Sequence, residues 1–285
     1  MNVLKTGLLL ALLTVLLVFI GHVIGGAQGA TIAFIITLVM NVVIYWFSDK
    51  IVLAMYRAKP LSEAEAPQVY RVLREIASRT QLPQPTLYWI PTATPNAFAT
   101  GRSPRHASVA VTSGLLKIMN EEELKGVLAH ELSHVKNRDT LVMTLAAAIA
   151  GTIMWLARMA EWSAMFGGSG RDREHRGNGG MQLIVILLIA ILAPLAATLI
   201  QLAISRTREF GADEMGARLA GSPHGLAAAL EKLHQATQAY PLPNANPATA
   251  HLFIVNPLSA RGVARLFSTH PPVEERVRRL RSMRL

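Results

Sequence analysis

The chain has 285 residues, of which 51% are hydrophobic and 16% charged. Soluble globular domains carry about 25% charged residues, so this composition argues against a wholly soluble protein. It also argues against a disordered one, whose imbalance runs the other way. Lys and Arg number 28 against 18 Asp and Glu, for a net charge of +10, and Cys is absent. Disulfides, thiolate nucleophiles, iron–sulfur clusters and Cys-type zinc sites are thereby excluded, and any metal must be held by His and carboxylates.

From Thr6 to Ser48 there is no Asp, Glu, Lys or Arg. A bilayer core takes about 20 apolar residues as helix. The stretch therefore holds two spans, at about 6–24 and 30–48, divided at Gly25-Gly26-Ala27-Gln28-Gly29. A signal peptide is the rival reading of the first run, but a second apolar run follows with no polar mature start between them. Two further uncharged runs, Thr140 to Ala157 and Met181 to Ile204, read as a second hairpin, with Pro194 kinking its last helix. Lys5, Lys50, Arg57, Lys59, Lys136, Arg138, Arg206 and Arg208 flank the spans on one side. The positive-inside rule then puts both termini and the polar segments in the cytoplasm. The loop 161–180 departs from this pattern with Arg171, Arg173 and Arg176, partly offset by Asp172 and Glu174.

The expected organisation is a first hairpin (1–48), the N-terminal part of a polar domain (49–139), a second hairpin (140–204) and the C-terminal part of that domain (205–285). Ser62 and Glu65 have capping-box spacing, and Val69, Leu73 and Ile76 follow at helical period until Pro83 and Pro85. Thr86 to Ile90 reads as a short strand. Asn96 to Thr100 and Ala107 to Thr112 read as two strands joined by a turn from Gly101 to His106. Asn120 and Glu123 predict a capped helix start. The Gly/Arg-rich stretch 167–180 reads as mobile, and Pro241 to Pro257 as a loop or lid. The tail from Arg261 carries seven Arg and two Glu, with Val273, Val277 and Leu280 at helical period. It suits a helix that packs on the domain or meets anionic lipid heads. It has no interleaved aromatics, which speaks against nucleic acid as a partner.

His130-Glu131-Leu132-Ser133-His134 lies inside the capped helix. Two His four apart share a helix face and can reach one ion. Leu124, Leu128, Leu132 and Val135 form a separate apolar stripe, so the helix could pack on one side and offer imidazoles on another. Glu131, between those faces, is placed to act as general base toward a metal-activated water. A structural zinc site usually closes with four ligands, often Cys, which this chain lacks. In Glu209-Phe210-Gly211-Ala212-Asp213, the two acids are again four apart. Glu209 can be the third ligand, leaving the fourth position to water, and Asp213 can orient a ligand His through its far N–H. The second hairpin would return His134 and Glu209 to the same side of the membrane.

Together with Thr269-His270-Pro271-Pro272, these two motifs resemble the signatures of the HtpX family of bacterial heat-shock membrane metalloproteases, related to the CAAX prenyl proteases. The resemblance spans essentially the whole chain. It implies a mainly α, polytopic membrane protein of four transmembrane helices with a cytoplasmic α+β zincin-like domain holding a small β-sheet. It further implies a zinc endopeptidase of the bacterial cytoplasmic membrane that degrades damaged or misfolded membrane proteins. One zinc would be held by His130, His134 and Glu209, with Glu131 catalytic. His270 and Arg276 match a His and an Arg that lie near the scissile carbonyl in related enzymes, where they would donate to the oxyanion. Asn96 matches a segment near the substrate cleft, where an edge strand could hold an extended peptide.

Three other readings fare less well. Prenyl-protein processing would need a larger membrane chamber than four spans enclose. A zinc-binding scaffold would not depend on Glu131. A zinc transporter would place ionisable residues within its spans, which hold almost none beyond His22.

Overall fold

The computed structural model describes residues 2–166, 206–239, 249–255 and 271–285. Helix α1, Asn2–Met55, breaks at Gly25 and Gly26, where φ reaches 60° at Gly26. That left-handed value costs glycine nothing, and the chain turns back there. The two arms then touch. A Cβ on Gly29 would stand 2.2 Å from the carbonyl oxygen of Gly21. Asn41 Nδ2 donates to Thr14 Oγ1 at 2.9 Å. Gly25–Met55 is long and apolar enough to cross a membrane, and it runs beyond the expected end at residue 48.

Four spans were expected; among the described residues one helix meets the length and hydropathy of a span. Leu10–His22 and Asp139–Gly151 are shorter apolar helices. The latter opens helix α5, Asp139–Phe166. Its residues Val142, Leu145 and Ile149 are buried against Leu13 and Ile44, one on each arm of α1. The expected fourth span 181–204 and the Gly/Arg-rich stretch 167–180 lie outside the described residues.

The remaining described elements are mainly helical around one small mixed sheet. They are β1 (Lys59–Pro60), α2 (Pro67–Thr80), β2 (Thr86–Ile90), β3 (Ala97–Gly101), β4 (Ala107–Thr112), α3 (Ser113–Ile118), α4 (Glu121–Lys136), α6 (Arg206–Ala220), α7 (His224–Ala239) and α8 (Val273–Ser282). The sheet order is β1-β2-β4-β3, which leaves β3 at an edge. Strands β2 and β4 run parallel, while β3 pairs antiparallel with β4, Ala97 opposite Val111. The strands expected from sequence match to within a residue, and β1 is an addition. Ser62 does not cap α2. Its backbone N–H donates to Glu65 at 2.8 Å, closing a turn ahead of a helix that begins at Pro67. Proline at the first helical position costs no hydrogen bond, which sets the start there.

Strand alternation divides two cores. Leu87, Ala97, Ala99, Val109 and Val111 face α2, α4 and α7. Ile90, Phe98 and Ala110 face the other way, onto Val52 and Leu53 of α1 and Met143 and Ala147 of α5. The sheet is therefore pressed between the polar domain and the ends of the apolar helices. Thr249–Val255 runs beside the free edge of β3, its Ile254 N–H donating to Ala97 O at 3.3 Å.

Helix α4 sits at the centre. Asn120 Oδ1 accepts from the Glu123 N–H and Glu123 Oε2 from the Asn120 N–H, both at 2.9 Å, the expected capping box. Every residue from Gly126 to Val135 is buried, so the imidazoles are offered to the protein interior. Helices α6 and α7 cover the side left free by the apolar stripe.

Candidate metal centre

Two helices bring three donors to one point. Helix α4 supplies His130 and His134, whose Nε2 atoms stand 3.2 Å apart. The first turn of α6 supplies Glu209, with Oε1 3.4 Å from His134 Nε2 and Oε2 3.9 Å from His130 Nε2. One donor atom from each lies within 4.8 Å of the other two, and all three residues are buried. Donors on a tetrahedral zinc at about 2.0–2.1 Å stand about 3.3 Å apart, so the spacing fits that ion. Close approach of the helices makes this possible. A Cβ at Gly216 of α6 would lie 2.9 Å from the backbone nitrogen of His130. Any larger residue there would push Glu209 away from the imidazoles.

The far nitrogens of both rings face carboxylates. His130 Nδ1 lies 3.0 Å from Asp213 Oδ1, and His134 Nδ1 lies 3.5 Å from Asp139 Oδ2. With a proton on each Nδ1, both Nε2 lone pairs turn toward one point, an arrangement that suits a bound cation. The local charge agrees. The buried carboxylates of Glu131, Asp139, Glu209 and Asp213 meet the guanidiniums of Arg276 and Arg208, an acid excess that a divalent cation neutralises.

The same excess shapes the titration of the site. Burial pushes the Glu131 carboxyl up to about 8; Glu209 adds to this, and His134 opposes it. Burial alone would lower His134, but Asp139, Glu209 and Glu131 outweigh it and raise the ring to about 9. His130 is lowered, mainly by burial. Burial would raise Asp213, but Arg276 and His130 outweigh it and hold the carboxyl below its usual range.

Glu131 Oε2 accepts from the Ala99 N–H of β3 at 2.8 Å, so the carboxylate is fixed to the edge strand beside the metal donors. Arg276 of α8 is buried. Its Nε and Nη2 bond both oxygens of Asp213, at 2.8 and 2.7 Å, and its Nη1 bonds Ile254 O at 2.8 Å. Nη2 also stands 3.5 Å from His130 Nε2, and Nη1 3.8 Å from Glu209 Oε2. His270, read from the sequence as an oxyanion donor, lies outside the described residues. Asn96 is fully buried, and its side chain bonds the chain itself: Nδ2 donates to Val255 O at 2.9 Å, and Oδ1 accepts from Ile254 N–H at 3.1 Å.

Asp139 was not foreseen. It reads as an ordinary acid in the first turn of α5, favourable to the helix dipole. A turn through Arg138, at φ 58°, swings it back under His134. Arg208 Nη1 stands 3.6 Å from its other oxygen. Its spacing, five residues after a candidate ligand, was the available signal. Replacing Asp139 by Ala is expected to weaken zinc affinity by about 10–100-fold while the fold persists, as is usual for carboxylates behind ligand histidines. Competition against a fluorescent chelator measures this, and an unchanged affinity would leave Asp139 a helix-start residue only.

The model of peptidase family M48 matches residues 63–284. The chain is 60% identical over 279 residues to the Protease HtpX homolog of Syntrophobacter fumaroxidans, covering 98% of each. It is 55% identical over 279 residues to the Protease HtpX homolog of Pyrococcus furiosus, covering 98% of this chain and 95% of that one. Its fold is similar to the crystal structure of S. mikatae Ste24p, with a TM-score of 0.52 at 16% identity. That likeness covers 94% of this chain and spans 62% of the other.

Proposed function

The chain belongs to peptidase family M48, as a zinc metallopeptidase, and we propose that it cuts damaged or misfolded membrane proteins at the cytoplasmic face of the bacterial inner membrane. The observation that carries this reading is the meeting of two imidazoles and one carboxylate on a common point, with the carboxylate of Glu131 pinned beside it. His130, His134 and Glu209 would hold the ion. When bound, zinc supplies Lewis acidity, lowering the pKa of a water toward about 7 and polarising a carbonyl.

The rest falls to the chain's own groups. Glu131 takes the proton from the attacking water and returns it to the leaving amine. Its Oε2 is engaged by Ala99, which leaves Oε1 for the proton. Asp213 and Asp139 hold the imidazoles in the tautomer that presents Nε2. Arg276 anchors Asp213 and places a fixed positive charge near the donors, where it favours the oxyanion together with His270 of the Thr269-His270-Pro271-Pro272 motif. Protein is the substrate class. The reading of membrane proteins as the main targets is supported by the span-length helix Gly25–Met55 and by the sheet pressed against α1 and α5. The basic residues at the span ends support a cytoplasmic orientation. A role in heat-shock-type quality control rests on the resemblance of its motifs to those of the HtpX family.

The test is metal removal on the purified full chain. A chelator is expected to abolish cleavage of casein and of a denatured membrane protein, and added zinc to restore it. Cleavage that persists with zinc measured as absent would defeat the metallopeptidase mechanism, and restored cleavage of casein alone would defeat the membrane-protein specialisation.

A further inference from the structure

The second arm of α1 marks where a bilayer would end. From the Gly26 break to Trp46 it runs about 20 residues, roughly 30 Å at 1.5 Å per residue, which is one hydrocarbon thickness. Ile35, Val39, Val42, Val43, Trp46 and Phe47 lie on one side of this arm, each between 43% and 59% exposed. Asp49 and Lys50 are the first charged residues after the apolar run. Lys50 is four residues from Trp46 and three from Phe47, so it continues the open side. Its Nζ stands 5.3 Å from the centroid of the Phe47 ring. About two turns past Trp46, Leu53 shares that side but is buried in the core that holds Phe98. The open face therefore closes just beyond Lys50.

The edge strand comes down to the same level. Strand β3 runs back along the last turns of α1, with the Phe98 ring 5.7 Å from that of Tyr56. The turn that follows β3 then reaches Trp46. The Arg102 guanidinium carbon stands 4.4 Å from the Trp46 ring centroid, and Arg102 Nη1 donates to Trp46 O at 3.3 Å. The turn is tight, since a Cβ on Gly101 would stand 2.1 Å from His106 O. Arg105 lies exposed in it. Among the described residues, no carboxylate pairs with Lys50, Arg102 or Arg105, and Asp49 is no exception. Elsewhere Arg71, Arg74, Arg79 and Arg218 each have an acidic partner. Uncompensated cations around a half-exposed tryptophan, at the end of an apolar face, suit the headgroup level of a membrane.

We propose that Lys50, Arg102 and Arg105, grouped about Trp46, form a docking surface for the phosphate headgroups of anionic phospholipid. The charge is complementary, and the apolar side of α1 delivers acyl chains to the same place. The basic tail helix α8 is a weaker candidate, because Arg279 and Arg281 pair with Glu275 and Glu231. Three residues separate Arg102 from Ala99, whose N–H holds Glu131. A headgroup held at the turn would thus fix the catalytic strand at a set height above the lipid. The proposal rests on α1 lying in a membrane and not on cleavage, so it is decided separately from the proteolytic reading. If the Arg102–Trp46 contact is only a brace, it holds the turn to the helix in any lipid.

Native mass spectrometry of the full chain in neutral detergent can test this, with dioleoylphosphatidylglycerol and dioleoylphosphatidylcholine competing at equal concentration. The parent is expected to prefer the phosphatidylglycerol. Each basic residue near an anionic surface contributes roughly fivefold, so Arg105→Gln should lower that preference about fivefold. Adding Lys50→Gln should lower it again by a similar factor. Both residues are exposed and leave the Arg102–Trp46 contact in place, so the fold is not at stake. Arg281→Gln, on the tail helix, should leave the preference unchanged. Millimolar glycerol phosphate should not displace the lipid. A parent without preference, or a preference that survives the double variant, would overturn the proposal and leave Arg102 a brace. An equal loss in Arg281→Gln would move the lipid contact to the tail, and displacement by glycerol phosphate would make the surface a site for a soluble anion; either result overturns the proposal.

Discussion

Glu131→Gln is expected to retain its zinc and to lose turnover by about three orders of magnitude, the scale of a positioned general base. Glutamine keeps the volume of the side chain and an oxygen that can accept from Ala99, so the edge strand and the α4 backbone should not move. What disappears is a group able to take a proton at neutral pH. The measurement pairs metal content with peptide cleavage on one preparation. Substantial activity in a zinc-loaded variant would remove Glu131 from the proton path and turn attention to another base.

Glu209→Ala is expected to act earlier, on the ion itself. Loss of an outer carboxylate commonly costs 10–100-fold in metal affinity, and loss of a direct ligand should exceed about a hundredfold. The histidines would keep their partners Asp213 and Asp139, so the protein should fold yet empty on dialysis. Metal stoichiometry after exhaustive dialysis reads this directly. Retention of a full equivalent of zinc would show that the third donor comes from elsewhere in the chain.

The parts legible in the sequence were those governed by short-range chemistry. The Asn120–Glu123 box, the His130–His134 spacing and the Glu209–Asp213 spacing each depend on one helical turn, and each has its expected local geometry. The same logic misled at Ser62, where a good capping pair lost to the proline that starts α2 five residues later. Period alone also left part of α4 unread. An apolar stripe shows which side packs first but not that α6 and α7 close over the rest. Run length alone also could not show that the first turns of α5 pack against both arms of α1. Asp139 was missed because a left-handed turn at Arg138 reverses the chain, and a turn through a non-glycine carries no strong sequence mark. Arg276 was singled out from its motif, but its two bonds to Asp213 join positions 63 apart, a distance no periodicity spans.

The divided sheet also bears on how the enzyme can be handled. Strand β3 places one apolar row toward the peptidase half and the next, through Phe98, toward Val52, Leu53 and Met143. A truncated protein trimmed of its lipid-facing helices would bare that second row to solvent, and the strand that steadies Glu131 would lose its backing. Solubility gained by excision would thus come at the expense of the catalytic wall, so detergent or nanodisc preparations of the intact polypeptide are the natural form for biochemistry.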